Sequence, residues 1–152
     1  MSDTGAEPRS HADAEPYPEL EEPIEGCLRY LDDRFGVDTL WVFGSTTKGH
    51  RHAESDLDLA ALFRQRPTAA DLLDATLALS AVAGMPVHLV NMDDAPPILA
   101  HQILKHGELR ADHDPRRRHE NLMKVVALHE DFRIERREAE DALIRRLTDG
   151  RP

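Results

Sequence analysis

The 152-residue sequence predicts an α/β (α+β) fold in which helices flank a small mixed β-sheet and a long helix ends the chain. Three observations predict this fold. Segments with helical and strand patterns follow one another in the order helix, strand, strand, helix, strand, helix. Apolar residues make up 40% of the chain, whose length allows one hydrophobic core but not two. An Asp-Pro pair at residues 114–115 then opens a final long helical segment.

The composition indicates a cytoplasmic protein. Charged residues are 32% of the chain, and no uncharged apolar run of about 18 residues exists, so we expect no membrane span. The N-terminus lacks the basic-then-apolar order of a secretory signal. The single cysteine, Cys27, cannot form an internal disulfide, which fits a reducing compartment. We expect it to be a small buried apolar residue.

Acidic residues are concentrated at the N-terminus. The net charge is -10, and residues 1–22 contain seven acids and one base, which leaves about -4 for the remaining chain. This balance argues against a nucleic acid as a direct partner, because phosphate backbones need a basic surface. Residues 1–18, with three prolines and little apolar surface, are predicted to be a disordered acidic tail. A domain of residues 19–114 and a C-terminal helical extension of residues 115–152 are predicted to follow.

The first helix and strand are predicted from their periodicity. Between Leu20 and Phe35, apolar residues recur at steps of three and four, which is typical of one helix face, and Gly36 ends the helix. Residues 37–43 are rich in β-formers and predict a short strand that ends at Gly44. A tight turn with one helical turn is predicted to follow.

The middle of the chain predicts two further strands around a helix. Residues 56–63 alternate acid and apolar before becoming wholly apolar, which indicates a second strand beside the first. Thr68 is the predicted N-cap of a helix over residues 69–83, ended by Gly84. Residues 86–92 predict the third strand.

The last third of the chain predicts two helices separated by a short extended piece. Pro96 and Pro97 begin a helix that runs to about His106, and residues 108–111 are extended. Asp114 resembles an N-cap with proline at the first helical position, so the long helix runs from there to about Leu147. Its apolar residues become sparse toward the C-terminus, which indicates a solvated or partner-facing extension.

The turn after the first strand has the residues of a phosphate-binding site. Glycine at position 44 lets a phosphate approach the backbone, and the N–H groups that open the following turn favour an anion. Ser45 adds a hydroxyl donor, Lys48 adds a positive charge, and Gly49 permits the next turn. We therefore predict nucleotide binding by Gly44, Ser45, Lys48 and Gly49.

Two carboxylates open the second strand. Asp56 and Asp58 are two positions apart, so both side chains project from one strand face. Neighbouring carboxylates repel each other unless a cation lies between them, and oxygen ligands of this kind suit Mg²⁺ or Mn²⁺ completed by substrate phosphates and water. A phosphate-binding turn facing such a pair is the arrangement that metal-assisted nucleotidyl transfer needs.

These residues together resemble a known family. Gly44-Ser45, ten intervening residues and then Asp56-x-Asp58 are similar to the signature of the DNA polymerase β-like nucleotidyltransferase superfamily. The segments SDLDLAAL and VNMDDAPPILAHQILKHGEL resemble its minimal nucleotidyltransferase (MNT) branch, and the likeness runs from about Val37 to Asp114. The resemblance implies a nucleotidyltransferase fold, a triphosphate of ATP bound at the glycine-serine turn, and metal ions held by the two aspartates.

One position departs from the family pattern. The family usually has a third acid on the following strand, and here the matching tetrapeptide is Val-His-Leu-Val with His88 at the acid's place. Neutral histidine can ligate a metal or act as a general base, so we include it among the catalytic candidates with Asp56 and Asp58. It cannot supply the negative charge that helps to hold two metal ions.

The resemblance also implies a biological role. The MNT branch is best known as the antitoxin of HEPN/MNT toxin–antitoxin pairs, in which it transfers AMP from ATP to a tyrosine of the HEPN toxin. A HEPN toxin is therefore the expected partner, with which the chain would form an oligomer. Two alternatives stay open: a degenerate MNT domain that neutralises a partner by binding, and a transferase that modifies a small antibiotic-like molecule. The sequence does not identify the acceptor or the preferred base.

Overall fold

The computed structural model describes residues 18–44 and 56–149. The chain forms four helices and four strands in these ranges, preceded by a 3-10 turn at Pro18–Leu20. In chain order the elements are α1 (Glu21–Phe35), β1 (Val37–Phe43), β2 (Leu57–Phe63), α2 (Ala69–Ala83), β3 (Val87–Asn91), α3 (Pro97–His106), β4 (Glu108–Asp112) and α4 (Pro115–Asp149). None of the described helices has the length and apolar character needed to cross a membrane.

The predicted elements are confirmed within one or two residues at their ends. Strand β2 begins at Leu57, one residue later than predicted, and the extended piece after α3 is a strand, β4. Pro18, assigned from the sequence to the acidic tail, lies in the 3-10 turn. The rest of that tail and the turn after Gly44 lie outside the described residues.

The four strands form one mixed sheet in the order β3-β2-β1-β4. Strand β1 is antiparallel to β2 and to β4, whereas β2 and β3 are parallel. The register places Phe43 opposite Asp58 and Asp58 opposite His88. The end of β1 therefore lies beside the beginnings of β2 and β3, and residues from three chain segments meet at this edge of the sheet.

Each face of the sheet carries its own apolar cluster. One cluster joins residues of α1 and α2 to alternate strand residues such as Leu40 and Leu59. Cys27 is part of it, fully buried, with its Sγ 3.9 Å from the carbonyl oxygen of Leu79. Burial raises the pKa of Cys27 to about 11, which fits the predicted apolar role. The second cluster joins α3 and α4 to the opposite face, at Trp41 and Ala60 among others.

Local capping interactions fix the helix ends. The Thr68 hydroxyl accepts a hydrogen bond from the Asp71 backbone N–H, and the Asp71 carboxylate accepts one from the Thr68 N–H, which forms a capping box. Gly84 ends α2 in the left-handed conformation. The Asp114 carboxylate accepts from the backbone N–H of Arg117 at the start of α4, as the predicted N-cap requires.

Only the first part of α4 is attached to the body of the protein. Arg117 donates to the Phe63 carbonyl at 3.1 Å and forms ion pairs with Asp38 at 3.1 Å and with Asp93 at 2.7 Å. Val125 is buried in the second cluster, and no described residue of α4 after it is buried. The last turns of the helix therefore extend beyond the body.

Candidate functional site

Three of the predicted site residues meet at the edge of the sheet where β1 ends. Gly44 follows β1 directly, Asp58 is the second residue of β2, and His88 is the second residue of β3. Asp58 and His88 are paired across the parallel strands, and His88 Nδ1 lies 3.5 Å from Asp58 Oδ1. Their side chains project from the same sheet face as the α3–α4 cluster, just beyond its apolar part.

Gly44 is in van der Waals contact with the Asp58 carboxylate. Its φ is +81°, in the left-handed region that favours glycine. A Cβ at this position would overlap Asp58 Oδ2 and lie 3.0 Å from Cγ. Both the backbone conformation and the available space therefore require glycine, and the missing side chain leaves room for the carboxylate.

The environment of Asp58 disfavours its charge. Burial raises the pKa of the Asp58 carboxyl, and the neighbouring charge of Asp56 raises it further. The charge of His88 and a hydrogen bond from it act in the opposite direction. Only 19% of the Asp58 side chain is exposed, against 64% of His88, so the histidine is the solvent-facing member of the pair. Within the described residues, the interactions of Asp58 with His88 do not fully offset the effect of burial on the charged carboxylate.

Asp56 lies one residue before β2 begins, and it is exposed. The position has the same strand parity as Asp58, and its charge acts on Asp58. The two carboxylates thus contribute to one local negative potential. Of the two residues, Asp58 lies in strand β2 and Asp56 lies just before it.

Among the described residues, Asp56 and Asp58 are oxygen donors of the kind that a divalent-cation site uses. The described residues contain no group of three or more His, Cys, Asp or Glu side chains that could hold a metal ion. They do bring together Asp58 and Asp56, two oxygen donors whose repulsion a cation would relieve. Mg²⁺ is typically held by one or two carboxylates together with substrate phosphates and water. The donor set fits an ion that binds with its nucleotide.

Ser45, Lys48 and Gly49, which the sequence assigns to nucleotide binding, lie outside the described residues. Their roles toward a triphosphate stay predictions. Gly44 is described, and it ends β1 next to Asp58. The backbone that enters the predicted phosphate-binding turn therefore starts beside the carboxylate pair.

An ion-pair network that was not predicted from the sequence lies at the opposite end of the sheet. Asp38, only 7% exposed, contacts Arg64 Nε at 3.3 Å and Arg117 Nε at 3.1 Å. A carboxylate within the otherwise apolar strand VDTLWVF is the signal that indicates such a network, because a buried charge needs a partner. The network joins α4 to the sheet far from Asp58 and does not belong to the site.

Comparison with known proteins gives a family match. The sequence model of the family described as Polymerase beta, Nucleotidyltransferase matches residues 25–116. The matched segment runs from α1 to the start of α4 and includes Gly44, Asp56, Asp58 and His88. A protein of Thermococcus cleftensis named Protein adenylyltransferase MntA is 29% identical over 87 residues, which are 57% of this chain and 88% of that protein.

Solved structures share the fold. A chain in the crystal structure of a toxin–antitoxin with AMP-PNP matches with a TM-score of 0.70 at 22% identity, over 82% of this chain and 99% of that chain. A chain in the complex of a tri-AMPylated Shewanella oneidensis HEPN toxin with an MNT antitoxin matches with a TM-score of 0.67 at 16% identity, over 83% and 98%. At these identities the likeness shows a common fold.

Proposed function

Since this chain belongs to the Polymerase beta nucleotidyltransferase family, whose sequence model matches more than half of its length, we propose that it transfers AMP from ATP to a tyrosine hydroxyl of a partner HEPN toxin. Its fold is the nucleotidyltransferase fold that the motif predicts. The chain resembles the MNT antitoxins of HEPN/MNT pairs. The proposed role is that of an antitoxin acting as a metal-dependent protein adenylyltransferase.

One observation carries the proposal. Gly44, Asp58 and His88 come from three separate chain segments and meet at one edge of the sheet. The half-buried carboxylate has a raised pKa, which is common at functional sites and costs stability unless a ligand compensates for it. A structural role alone gives no reason to place an acid there.

The proposed reaction is a displacement at phosphorus. The acceptor oxygen forms a bond to the α-phosphorus of ATP, the bond from that phosphorus to the oxygen bridging to the β-phosphate breaks, and pyrophosphate leaves. When bound, Mg²⁺ or Mn²⁺ held by Asp56 and Asp58 would neutralise charge on the phosphates. The backbone after Gly44, with Ser45, Lys48 and Gly49, would hold the triphosphate.

His88 is the candidate that receives the acceptor's proton. Its Nδ1 faces Asp58, so a neutral ring with the proton on Nδ1 leaves Nε2 as an acceptor. Its exposure leaves that nitrogen accessible to a hydroxyl from a partner. In this role Asp58 orients the ring in addition to binding metal.

The partner is proposed from the named relatives. MntA of Thermococcus cleftensis is a protein adenylyltransferase, and the Shewanella oneidensis complex contains an AMPylated HEPN toxin. The exposed position of His88, beside Asp58 at the edge of the sheet, suits a macromolecular acceptor.

A second candidate function is neutralisation by contact without transfer. It is favoured by His88, which supplies no negative charge where the family's third acid is expected. In that case the site would bind nucleotide weakly and the partner would be inhibited by association.

The first prediction tests the nucleotide site. We expect ATP with Mg²⁺ or Mn²⁺ to bind, and we expect binding to require the metal and to be lost in the double variant Asp56→Asn, Asp58→Asn, because the cation loses both carboxylates. Calorimetric titration of ATP with and without metal measures this. The control is Asp33→Asn, which removes one exposed carboxylate on α1. Equal affinity in the wild type and the double variant would exclude the site.

The second prediction separates the enzyme from the contact inhibitor. Labelled AMP from α-labelled ATP should appear on a tyrosine of the HEPN protein that co-purifies from the native host. His88→Ala should reduce this transfer by about a hundredfold, the usual loss for one general base, and His88→Asp should retain or raise it.

Each outcome of the histidine series has one interpretation. No transfer by the wild type together with transfer by His88→Asp identifies a contact inhibitor with a degenerate site. Transfer unchanged in His88→Ala excludes the proton-acceptor role and leaves the nucleotidyltransferase proposal standing.

A further inference from the structure

The distal part of α4 carries a stripe of mostly apolar side chains that are exposed to solvent. Beyond Val125 the helix has no buried residue, yet large apolar side chains recur on it. The members of the stripe are Leu128, Phe132, Arg136, Ala139, Leu143 and Leu147. Successive members are separated by four, four, three, four and four residues.

This spacing keeps the stripe on one helix face. It repeats every 11 residues, which is 3.67 residues per turn and close to the 3.6 of an α-helix. The stripe also continues the face that seats the helix on its own domain, because Asn121 and Val125 precede Leu128 at steps of four and three. The face that packs on the body therefore continues for about 20 residues past it.

We propose that this stripe pairs with the same stripe of a second copy of the chain, in antiparallel orientation. The order of the steps is the same when read from either end. An antiparallel copy therefore places Leu128 against Leu147, Phe132 against Leu143 and Arg136 against Ala139. A face that is complementary to itself in this way is what a two-fold symmetric interface requires.

The charge at the centre selects the antiparallel orientation. Arg136 is the polar member of the stripe, and its Nε lies 3.4 Å from Glu140 on the same helix. A parallel pair would place Arg136 against Arg136 of the second copy, two like charges in an apolar seam. The antiparallel pair places it against the small Ala139, with Glu140 of the second copy next to it.

The length of the distal part of α4 fits this arrangement. Leu128 and Leu147 are 19 residues apart, or about 28 Å along the helix axis. In the antiparallel register, the C-terminal end of α4 in one copy lies beside Leu128 of the other copy. Leu128 is close to the last turn by which that second helix contacts its own domain. The two bodies then lie at opposite ends of the pair.

The test is the oligomeric state of the full chain, measured by sedimentation from about 1 to about 100 µM, which spans the affinities of weak homodimers. We expect a concentration-dependent dimer. Phe132→Glu and Leu143→Glu, at side chains 38% and 49% exposed, should each weaken it by about tenfold or more. Ile134→Glu, at a residue 48% exposed but off the stripe, should change it by less than about twofold.

A charge reversal checks the register. Arg136→Glu should weaken the dimer, since it places two acids next to each other at the centre. Adding Glu140→Arg should restore it, and helicity and melting temperature should stay unchanged because the pair within the helix is also restored.

A chain that stays monomeric over the whole range overturns the proposal. A dimer that is insensitive to Phe132→Glu and Leu143→Glu also overturns it. So does a failure of the double charge reversal to restore the dimer. A monomer whose capture of a different protein depends on the stripe would assign the surface to that partner instead. None of these outcomes depends on nucleotidyl transfer.

Discussion

At the scale of single residues, the space around the Asp58 carboxylate depends on Gly44 having no side chain. Glycine at position 44 has a left-handed backbone and lies against the carboxylate, so the metal-binding candidate contacts the residue that precedes the predicted phosphate-binding turn. The sequence motif predicts both residues, but it does not show that they touch. That contact depends on the register of β1 against β2, which places Phe43 opposite Asp58.

The third prediction tests this fit with two glycine variants. Gly44→Ala should abolish metal-dependent ATP binding, because the new Cβ displaces the Asp58 carboxylate. It should also lower stability by about 1–2 kcal/mol through its left-handed backbone. Gly84→Ala is the matched control, since Gly84 has φ +70° and no atom lies within 4 Å of an added Cβ. It should lose similar stability and keep ATP binding, and thermal melts with ATP titrations measure both. ATP binding that survives in Gly44→Ala would contradict the steric argument.

At the scale of elements, the sequence predicts what is local and misses what is distant. Helix α2 is correct in both bounds because its cap at Thr68 and its stop at Gly84 are determined by neighbouring residues. The attachment of α4 was not predicted, because Arg117 finds Asp38 and Asp93 only after the sheet has formed. The roles of Asp56, Asp58 and His88 were proposed from motif spacing, and the pairing of Asp58 with His88 across strands needed the structure.

The fourth prediction concerns that attachment. Arg117→Met should destabilise the fold by about 3 kcal/mol, because among the described residues the buried carboxylate of Asp38 then keeps only the largely exposed Arg64 as an ion-pair partner. The neighbouring Arg116 is the control: it is 90% exposed and pairs with Glu120 at 3.5 Å, so Arg116→Met should cost less than about 0.5 kcal/mol. Urea unfolding of the two variants measures the difference. Equal losses of stability in the two variants would show that the ion pairs of Arg117 stabilise the fold no more than an exposed ion pair does.

At the scale of the whole molecule, the fold consists of a sheet covered on both faces and a helix that continues past it. The two apolar clusters use strand residues of opposite parity, so the sheet is central to the core, and Asp58 and His88 lie at its edge. The element order in the sequence predicts this architecture. The division after residue 114 stays a prediction, and the burial of Asn121 and Val125 leads us to propose that the folding unit extends into α4.

The fifth prediction fixes how much of α4 the fold needs. A chain ending at Arg133 loses no buried residue among those described, so its melting temperature should lie within a few degrees of the full chain and it should still bind ATP with metal. A chain ending at Lys124 loses Val125, which is 4% exposed, and should melt well below both. Because dimerisation adds stability by mass action, the three chains are compared at a concentration where the full chain is monomeric. If the chain ending at Arg133 melts as low as the one ending at Lys124, the distal helix supports the body, and the boundary proposed within α4 is wrong.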